Sequence, residues 1–253
     1  MRIACLGSGS RGNALLVADG DQQLLVDCGF TLAETESRLA RLGVAPATVT
    51  AILVTHEHSD HISGVGALAR KYELPVWMSR GSHLAGRCGT IRALKFLTAE
   101  EPVLFGRIRV FPFSVPHDAR EPLQFVFESP VARFALLTDT GCSTPFLLQQ
   151  IGGCDALMLE CNHDERLLQT GRYPAALKRR VGGNYGHLSN AQAAEILSGA
   201  DRSRLQLLIA AHLSAENNRP QLACAALAEV MAWSPEQILV ADQNTGFEWQ
   251  TLA

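Results

Sequence analysis

The stretch Ala51–Gly64, AILVTHEHSDHISG, decides how this chain is read. An apolar, β-branched run ends at Thr55, and His56, His58, Asp60 and His61 follow at once. In an extended turn alternate side chains share a side, so His56 and His58 point the same way. Asp60 and His61 then fall at the start of the next helix, aimed at a neighbouring point. One loop thus offers ligands to two ions, the arrangement of a two-metal site. A solvated polar turn is the bland alternative, and it gives no reason for three histidines and an aspartate at H-x-H-x-D-H spacing.

Further ligand types stand where other strands are expected to end. His117 in SVPHDA follows Ile108–Phe113, Asp139 in LLTDTG follows Phe134–Leu137, and His212 in AAHLS follows Leu205–Ala210. Taken singly, each is equally well a polar strand-end residue. Together with the histidine loop they supply the ligand count of a dinuclear centre. Imidazole and carboxylate without cysteine suit Zn²⁺, Mn²⁺ or Fe²⁺ and speak against a structural zinc.

Working outward, short apolar runs separated by Gly/Ser/Asp clusters read as strands at Ile3–Leu6, Ala14–Ala18 and Leu24–Asp27. Helical spacing covers Leu32–Leu42, with Gly43 ending it, and Ile62–Tyr72. Thr50–Thr55 and Leu74–Met78 read as strands, and Val103–Phe113, Gln124–Glu128 and Arg133–Thr138 as a run of strands. Strands at Ala156–Glu160, Leu205–Ala210 and Gln237–Val240 then alternate with helices near Pro174–Arg180, Asn190–Leu197 and Gln221–Met231. This order suits an α/β (α+β) chain built as an αββα four-layer sandwich, two packed sheets with helices outside. With no repeat or linker, one domain over residues 1–253 is expected.

The bulk numbers exclude several classes. The 253 residues are 47% hydrophobic and 19% charged, an ordinary globular composition rather than a disordered one. A net charge of −3 provides no global basic field, so a nucleic acid would need a local patch or metal ions to hold it. The seven cysteines form no C-x-x-C pair, which argues against a disulfide framework or a zinc ribbon. The start, MRIACLGSGSRGN, lacks the apolar core of a signal peptide, and no apolar run approaches the ~18 residues of a membrane span. A cytoplasmic enzyme without a membrane partner is expected, with no stable protein partner inferred.

THEHSDH, SVPHDA, LLTDTG and AAHLS resemble, in order, the metal-binding motifs of the metallo-β-lactamase superfamily, and LLVDCG resembles its opening aspartate motif. The resemblance implies that His56, His58 and His117 hold one ion, that Asp60, His61 and His212 hold the other, and that Asp139 bridges them. Asp27 would support a ligand from behind. The strings GSGSRGN, HDAREP, LECNHD, GRYPAALKRR, GHLSN and HLSAENN look like the YycJ (WalJ) branch, nuclease-like proteins related to RNA-processing members. That branch implies metal-dependent phosphodiester hydrolysis, described as 5′-exonuclease action on DNA. Cys28 and Arg11 depart slightly from the pattern, outside the metal set.

In such a mechanism Asp60 is both a ligand and the residue that orients the attacking water. His187 of GHLSN resembles the histidine of the corresponding loop in the tRNA-processing relatives and is expected to act as general acid. Glu160 would hold its donor tautomer and raise its pKa. The plainer reading makes His187 a helix-entry residue beside Ser189, which caps the helix from Asn190. Ser8, Ser10 and Asn13 in the glycine-rich turn could offer donors to a phosphate, though a plain turn explains them equally well. Asn162, His163, Asn217 and Asn218 adjoin metal motifs and could bind phosphate oxygens. Arg172, Lys178, Arg179 and Arg180 form a basic run, either a solvated helix face or the local charge that DNA needs. Two other readings compete: a small-substrate hydrolase acting on a cyclic phosphate or thioester, and a metal-holding regulatory module without turnover.

Overall fold

The computed structural model describes residues 1–252. Its first half runs β1 (Arg2–Gly7), β2 (Ala14–Asp19), β3 (Gln22–Val26), α1 (Leu32–Arg41), β4 (Ala51–Leu53), α2 (Ser59–Ile62), α3 (Val65–Tyr72), β5 (Val76–Met78), α4 (Arg80–Ala85) and β6 (Leu94–Phe96). A meander follows: β7 (Val103–Phe105), β8 (Ile108–Ser114), β9 (Leu123–Glu128) and β10 (Arg133–Leu137). Then come α5 (Pro145–Ile151), β11 (Ala156–Glu160), α6 (Glu165–Thr170), α7 (Ala175–Val181), α8 (Asn190–Gly199) and β12 (Leu207–Ala211). The chain finishes with α9 (Pro220–Met231), β13 (Leu239–Val240) and β14 (Phe247–Thr251).

The strands make two seven-stranded sheets, ordered β14-β1-β2-β3-β4-β5-β6 and β13-β12-β11-β10-β9-β8-β7. Side-chain alternation sends one set of each strand's residues to a core shared by the sheets, where Ile3, Val17, Leu24 and Leu53 meet Phe125, Phe127, Leu136 and Met158. The other set turns outward. Leu16, Leu25 and Ile52 pack under Leu39 of α1 and Leu68 of α3. Leu137, Leu157 and Leu208 pack under Leu147 of α5, Ile196 of α8 and Leu227 of α9. Helix, sheet, sheet, helix is the four-layer α/β sandwich expected. β10, β11 and β12 read as unbroken apolar runs because they are parallel and covered on both faces.

Several local expectations change. Val103–Phe113 is broken at Gly106, whose φ of +55° makes the β7–β8 turn. Ile62–Tyr72 is split between α2, which ends at Ile62, and α3, which begins at Val65, because the Gly64 amide donates to the Cys28 carbonyl at 2.7 Å instead of continuing the helical ladder. The short elements α4, α5, α6, β6 and β14 carry too little periodicity to be read from sequence. Among the described residues no helix is long and apolar enough to cross a membrane.

Candidate metal centre

Parallel strands β3 and β4 of one sheet and β10, β11 and β12 of the other present their C-terminal ends to one cleft, the usual place for a site in parallel sheets. Asp27 directly follows β3, Asp139 lies just beyond β10, Glu160 ends β11, and His212 directly follows β12. Asp27, Asp139 and His212 each take a left-handed backbone, with φ of 60°, 52° and 54°. For a residue with a Cβ this costs about 1–2 kcal/mol, and such strain concentrates where function fixes a side chain. The turn folds each side chain back over the sheet edge instead of letting it continue along the strand. Gly29 allows the same edge to close: a Cβ there would lie 1.7 Å from the Asp60 carbonyl. The Asn13 and Cys28 amides therefore reach the Asp60 and His61 carbonyls at 2.8 Å each.

Hydrogen bonds then decide which nitrogen of each imidazole is free. Asp27 accepts from the Thr55 amide and hydroxyl, and from His61 Nδ1, all at 2.8 Å. With its proton committed to Asp27, the Thr55 hydroxyl accepts from His56 Nδ1 at 3.0 Å. His117 Nδ1 donates to the Gly186 carbonyl at 3.1 Å, and His212 Nδ1 to Glu160 Oε1 at 3.1 Å. The Nε2 atoms of His56, His61, His117 and His212 are thereby turned toward the cleft. His58 is the exception, since its Nδ1 lies 3.2 Å from His117 Nε2. The ligand atoms gather into His56, His58 and His117, into Asp60, His61 and His212, into His56, His61 and Asp139, and into Asp139, Glu160, His187 and His212, each within 4.8 Å. Asp139 faces both sides, with Oδ2 3.2 Å from His61 Nε2 and Oδ1 4.0 Å from His117 Nε2.

The donor chemistry fits divalent cations. His56 Nε2, His212 Nε2 and Asp139 Oδ2 are buried without a hydrogen bond, a costly arrangement for groups that can each give a lone pair to a cation. Burial, the largest influence, keeps His56 well below the usual histidine pKa and lowers that of His117, so both rings are neutral donors. Burial opposes charge on His61 as well, yet Asp139, Asp27 and Asp60 outweigh it and hold its pKa well above normal. The carboxylates crowded there call for positive charge.

His187 and Glu160 meet at the cleft. His187 Nδ1 donates to Glu160 Oε1 at 2.7 Å, and the same oxygen takes the His212 proton. Glu160 Oε2 accepts from the Thr140 and Leu188 amides at 3.1 and 3.3 Å. Burial disfavours charge on His187, but Glu160 and Asp139 raise its pKa above the usual value. Ser189 caps α8 through the Gln192 amide, so the helix-entry feature and the His187–Glu160 pair coexist.

The remaining candidates separate. Arg180 lines the metal cleft, together with Ser10, Tyr173 and Leu177, around about 420 Å³. Its Nε donates to Asp118 at 2.6 Å, and Asp118 Oδ1 stands 3.8 Å from His58 Nε2. Asp118 was visible in HDAREP, yet nothing in the string assigns it this bridging position. Ser8 accepts from the His212 amide and donates to Asn13, bracing the His212 motif from behind, while the Asn13 amide stands on the ligand side, 3.1 Å from His61 Nε2 and 3.4 Å from Asp60 Oδ2. Asn162 donates to the His212 carbonyl, and Asn218 to that of Cys161. The structure does not bring these asparagines to the cleft: Asn162 and Asn218 satisfy backbone carbonyls beneath it, and Asn217 is buried there with its amide unpaired. His163, Lys178 and Arg179 face a different cavity, beyond α7. Arg172 is exposed.

Residues 22–209 match the family model of a β-lactamase superfamily domain. Exodeoxyribonuclease YycJ of Bacillus anthracis is 38% identical over 236 residues, 91% of this chain and 89% of its own. Exodeoxyribonuclease WalJ of Streptococcus pneumoniae is 35% identical over 229 residues, 88% of this chain and 85% of its own. Among solved structures, the metallo-β-lactamase fold protein YhfI from Bacillus subtilis matches with a TM-score of 0.76 over 99% of both chains. At 15% identity that likeness concerns the fold alone.

Proposed function

This chain belongs to the β-lactamase superfamily, and from that premise we propose that it is a metal-dependent phosphodiesterase that removes nucleotides from DNA. The observation that carries the reading is the convergence of five imidazoles and two carboxylates on one cleft, with His187 poised beside them. The exodeoxyribonucleases that resemble it over most of their length support DNA as the substrate. DNA, together with seven free cysteines, also fits a cytoplasmic setting, which forms part of the proposal.

In this reading His56, His58 and His117 would hold one divalent cation, Asp60, His61 and His212 would hold the other, and Asp139 would serve both. Mn²⁺, Zn²⁺ and Fe²⁺ all suit such donors. Bound there, the cations supply charge against the phosphoryl oxygens and acidify the attacking water. Asp60, partly open to the cleft, orients that water through its carboxylate. His187 gives its Nε2 proton to the departing sugar oxygen, while Glu160 keeps the ring aligned and charged until transfer. Asp27 and Thr55 fix His61 and His56 so that neither ring turns.

Digestion of 5′- and 3′-labelled single- and double-stranded DNA and RNA, with Mn²⁺ or Zn²⁺ added, tests this. Stepwise loss of nucleotides from DNA is expected. DNA left intact while a cyclic phosphodiester or a thioester is hydrolysed would replace the proposal with the small-substrate reading.

A further inference from the structure

Helix α7 is a shared wall. Leu177, Arg180 and Val181 line the metal cleft, whereas Ala175, Lys178, Arg179 and Gly182 line a second cavity of about 510 Å³ on the opposite face. The split follows helical spacing, since residues three and four apart share a face. Ligand cavities of this class run from about 300 to 1,000 Å³.

His163 reaches into this cavity from the loop after β11. It is 2% exposed, its Nδ1 is buried without a partner, and its Nε2 lies 3.9 Å from where a Cβ on Gly182 would stand. Burial above all lowers its pKa, so the ring is neutral, with one nitrogen to donate and one to accept. Nε2, the nitrogen on the Gly182 side of the ring, is the one a ligand in the cavity can meet. The carboxamides of Gln169 and Gln192 stand around it, and the Gln192 oxygen is already taken by the Ser189 amide. Leu168 and Ala175 supply apolar surface. Arg179 is exposed at the rim and makes no ion pair among the described residues, while Lys178 donates to the Gln169 carbonyl at 2.7 Å. Glu165 also lines the cavity, which makes it a poor home for a bare anion.

Apolar surface for a ring face, amides and a neutral imidazole for a ring edge, and a rim cation for a phosphate describe one ligand chemistry. We propose that this cavity binds a nucleotide, held either as the unit of the DNA strand beyond the scissile bond or as free nucleoside 5′-monophosphate. The proposal rests on the nuclease reading and extends it. A strand lying across α7 would have one unit over the metals and another in the cavity.

The test uses the metal-loaded protein and two variants. Gly182→Val plugs the cavity and removes no hydrogen-bonding group; φ is −87° there, and the new Cβ would meet Leu168 at 3.4 Å, an ordinary contact. His163→Phe keeps the ring and removes its nitrogens. The KM for a single-stranded 10-mer should rise about ten- to a hundredfold in both, the usual worth of one held base. In Gly182→Val the kcat on bis-p-nitrophenyl phosphate should stay within about twofold, because that substrate does not reach past α7. Calorimetry with 5′-dAMP reads the free nucleotide: heat lost in Gly182→Val adds that source, and a KM effect without dAMP heat restricts the cavity to the strand. Unchanged KM in both variants together with dAMP heat that is absent or unchanged in Gly182→Val overturns the proposal, as does inorganic phosphate displacing dAMP as well as dAMP displaces itself. If the wild type leaves DNA intact, the nuclease reading fails and the dAMP titration alone decides the cavity. Binding abolished by Gly182→Val then upholds it, and binding absent or unchanged overturns it.

Discussion

Replacing Glu160 with glutamine should damage two functions at once, because one carboxylate serves two imidazoles. Oε1 accepts from His187 at 2.7 Å and from His212 at 3.1 Å, while Oε2 accepts from two backbone amides. Glutamine has the same shape but only one acceptor oxygen. With that oxygen toward the histidines, its NH₂ opposes the Thr140 and Leu188 amides; flipped, the NH₂ opposes both imidazole protons. Either way a buried donor faces donors, at a cost of about 1–3 kcal/mol. His212 loses its holder, which typically lowers metal affinity about 10–100-fold. His187 loses the charge that raises its pKa, so hydrolysis of DNA should fall by up to the ~10²–10⁴ worth of a general acid. The assay compares DNA with bis-p-nitrophenyl phosphate across a Mn²⁺ titration. DNA cleavage should remain slow when Mn²⁺ saturates, whereas the activated diester, whose phenolate hardly needs a proton, should largely recover. Wild-type Mn²⁺ affinity together with equal slowing of both substrates would refute this reasoning.

His187→Ala separates the two roles: metal content should be retained, DNA cleavage should fall about 10²–10⁴-fold, and the activated diester should lose far less. Metal lost on that substitution would make His187 a ligand, not an acid. Asp27→Asn keeps a side chain that tolerates the left-handed φ of 60°, but its single oxygen is uncharged and its NH₂ opposes either the Thr55 amide or the Thr55 hydroxyl and His61 Nδ1. Metal affinity should drop about 10–100-fold with the fold intact, as read by equilibrium dialysis and circular dichroism; unchanged affinity would show that Asp27 only braces the loop. Arg179→Glu, unlike a change at the Asp118-paired Arg180, should raise KM for long DNA and flatten its salt dependence by about one charge, leaving small-diester kcat unchanged. Equal losses on both substrates would mean that Arg179 supports the site itself.

How legible the site was depends on what each residue's position required. His56, His58, Asp60 and His61 could be read because a strand and a helix start bracket them, so periodicity alone orients them. His117, Asp139 and His212 could be located after apolar strands, but the left-handed turns that fold Asp139 and His212 inward leave no mark in a sequence free of glycine there. Asn162 and Asn218 looked like phosphate donors because they adjoin motifs. Only the packed loop reveals that their amides satisfy buried carbonyls. Lys178, Arg179 and Arg180 read as one basic run, and helical rotation sends Arg180 to one cavity and its neighbours to another. The layer order was legible since parallel strands covered on both faces must be apolar throughout, whereas β6 and β14, paired at sheet ends, follow no such rule.

The central claim is that two cations act together in one cleft. Its most direct test is to strip the protein with a chelator and titrate Mn²⁺ back while following release of nucleotides from end-labelled DNA. Activity should stay near the background through the first equivalent per chain and rise as the second binds, ending near two ions per chain. Full DNA hydrolysis at one tightly held ion per chain would contradict the account.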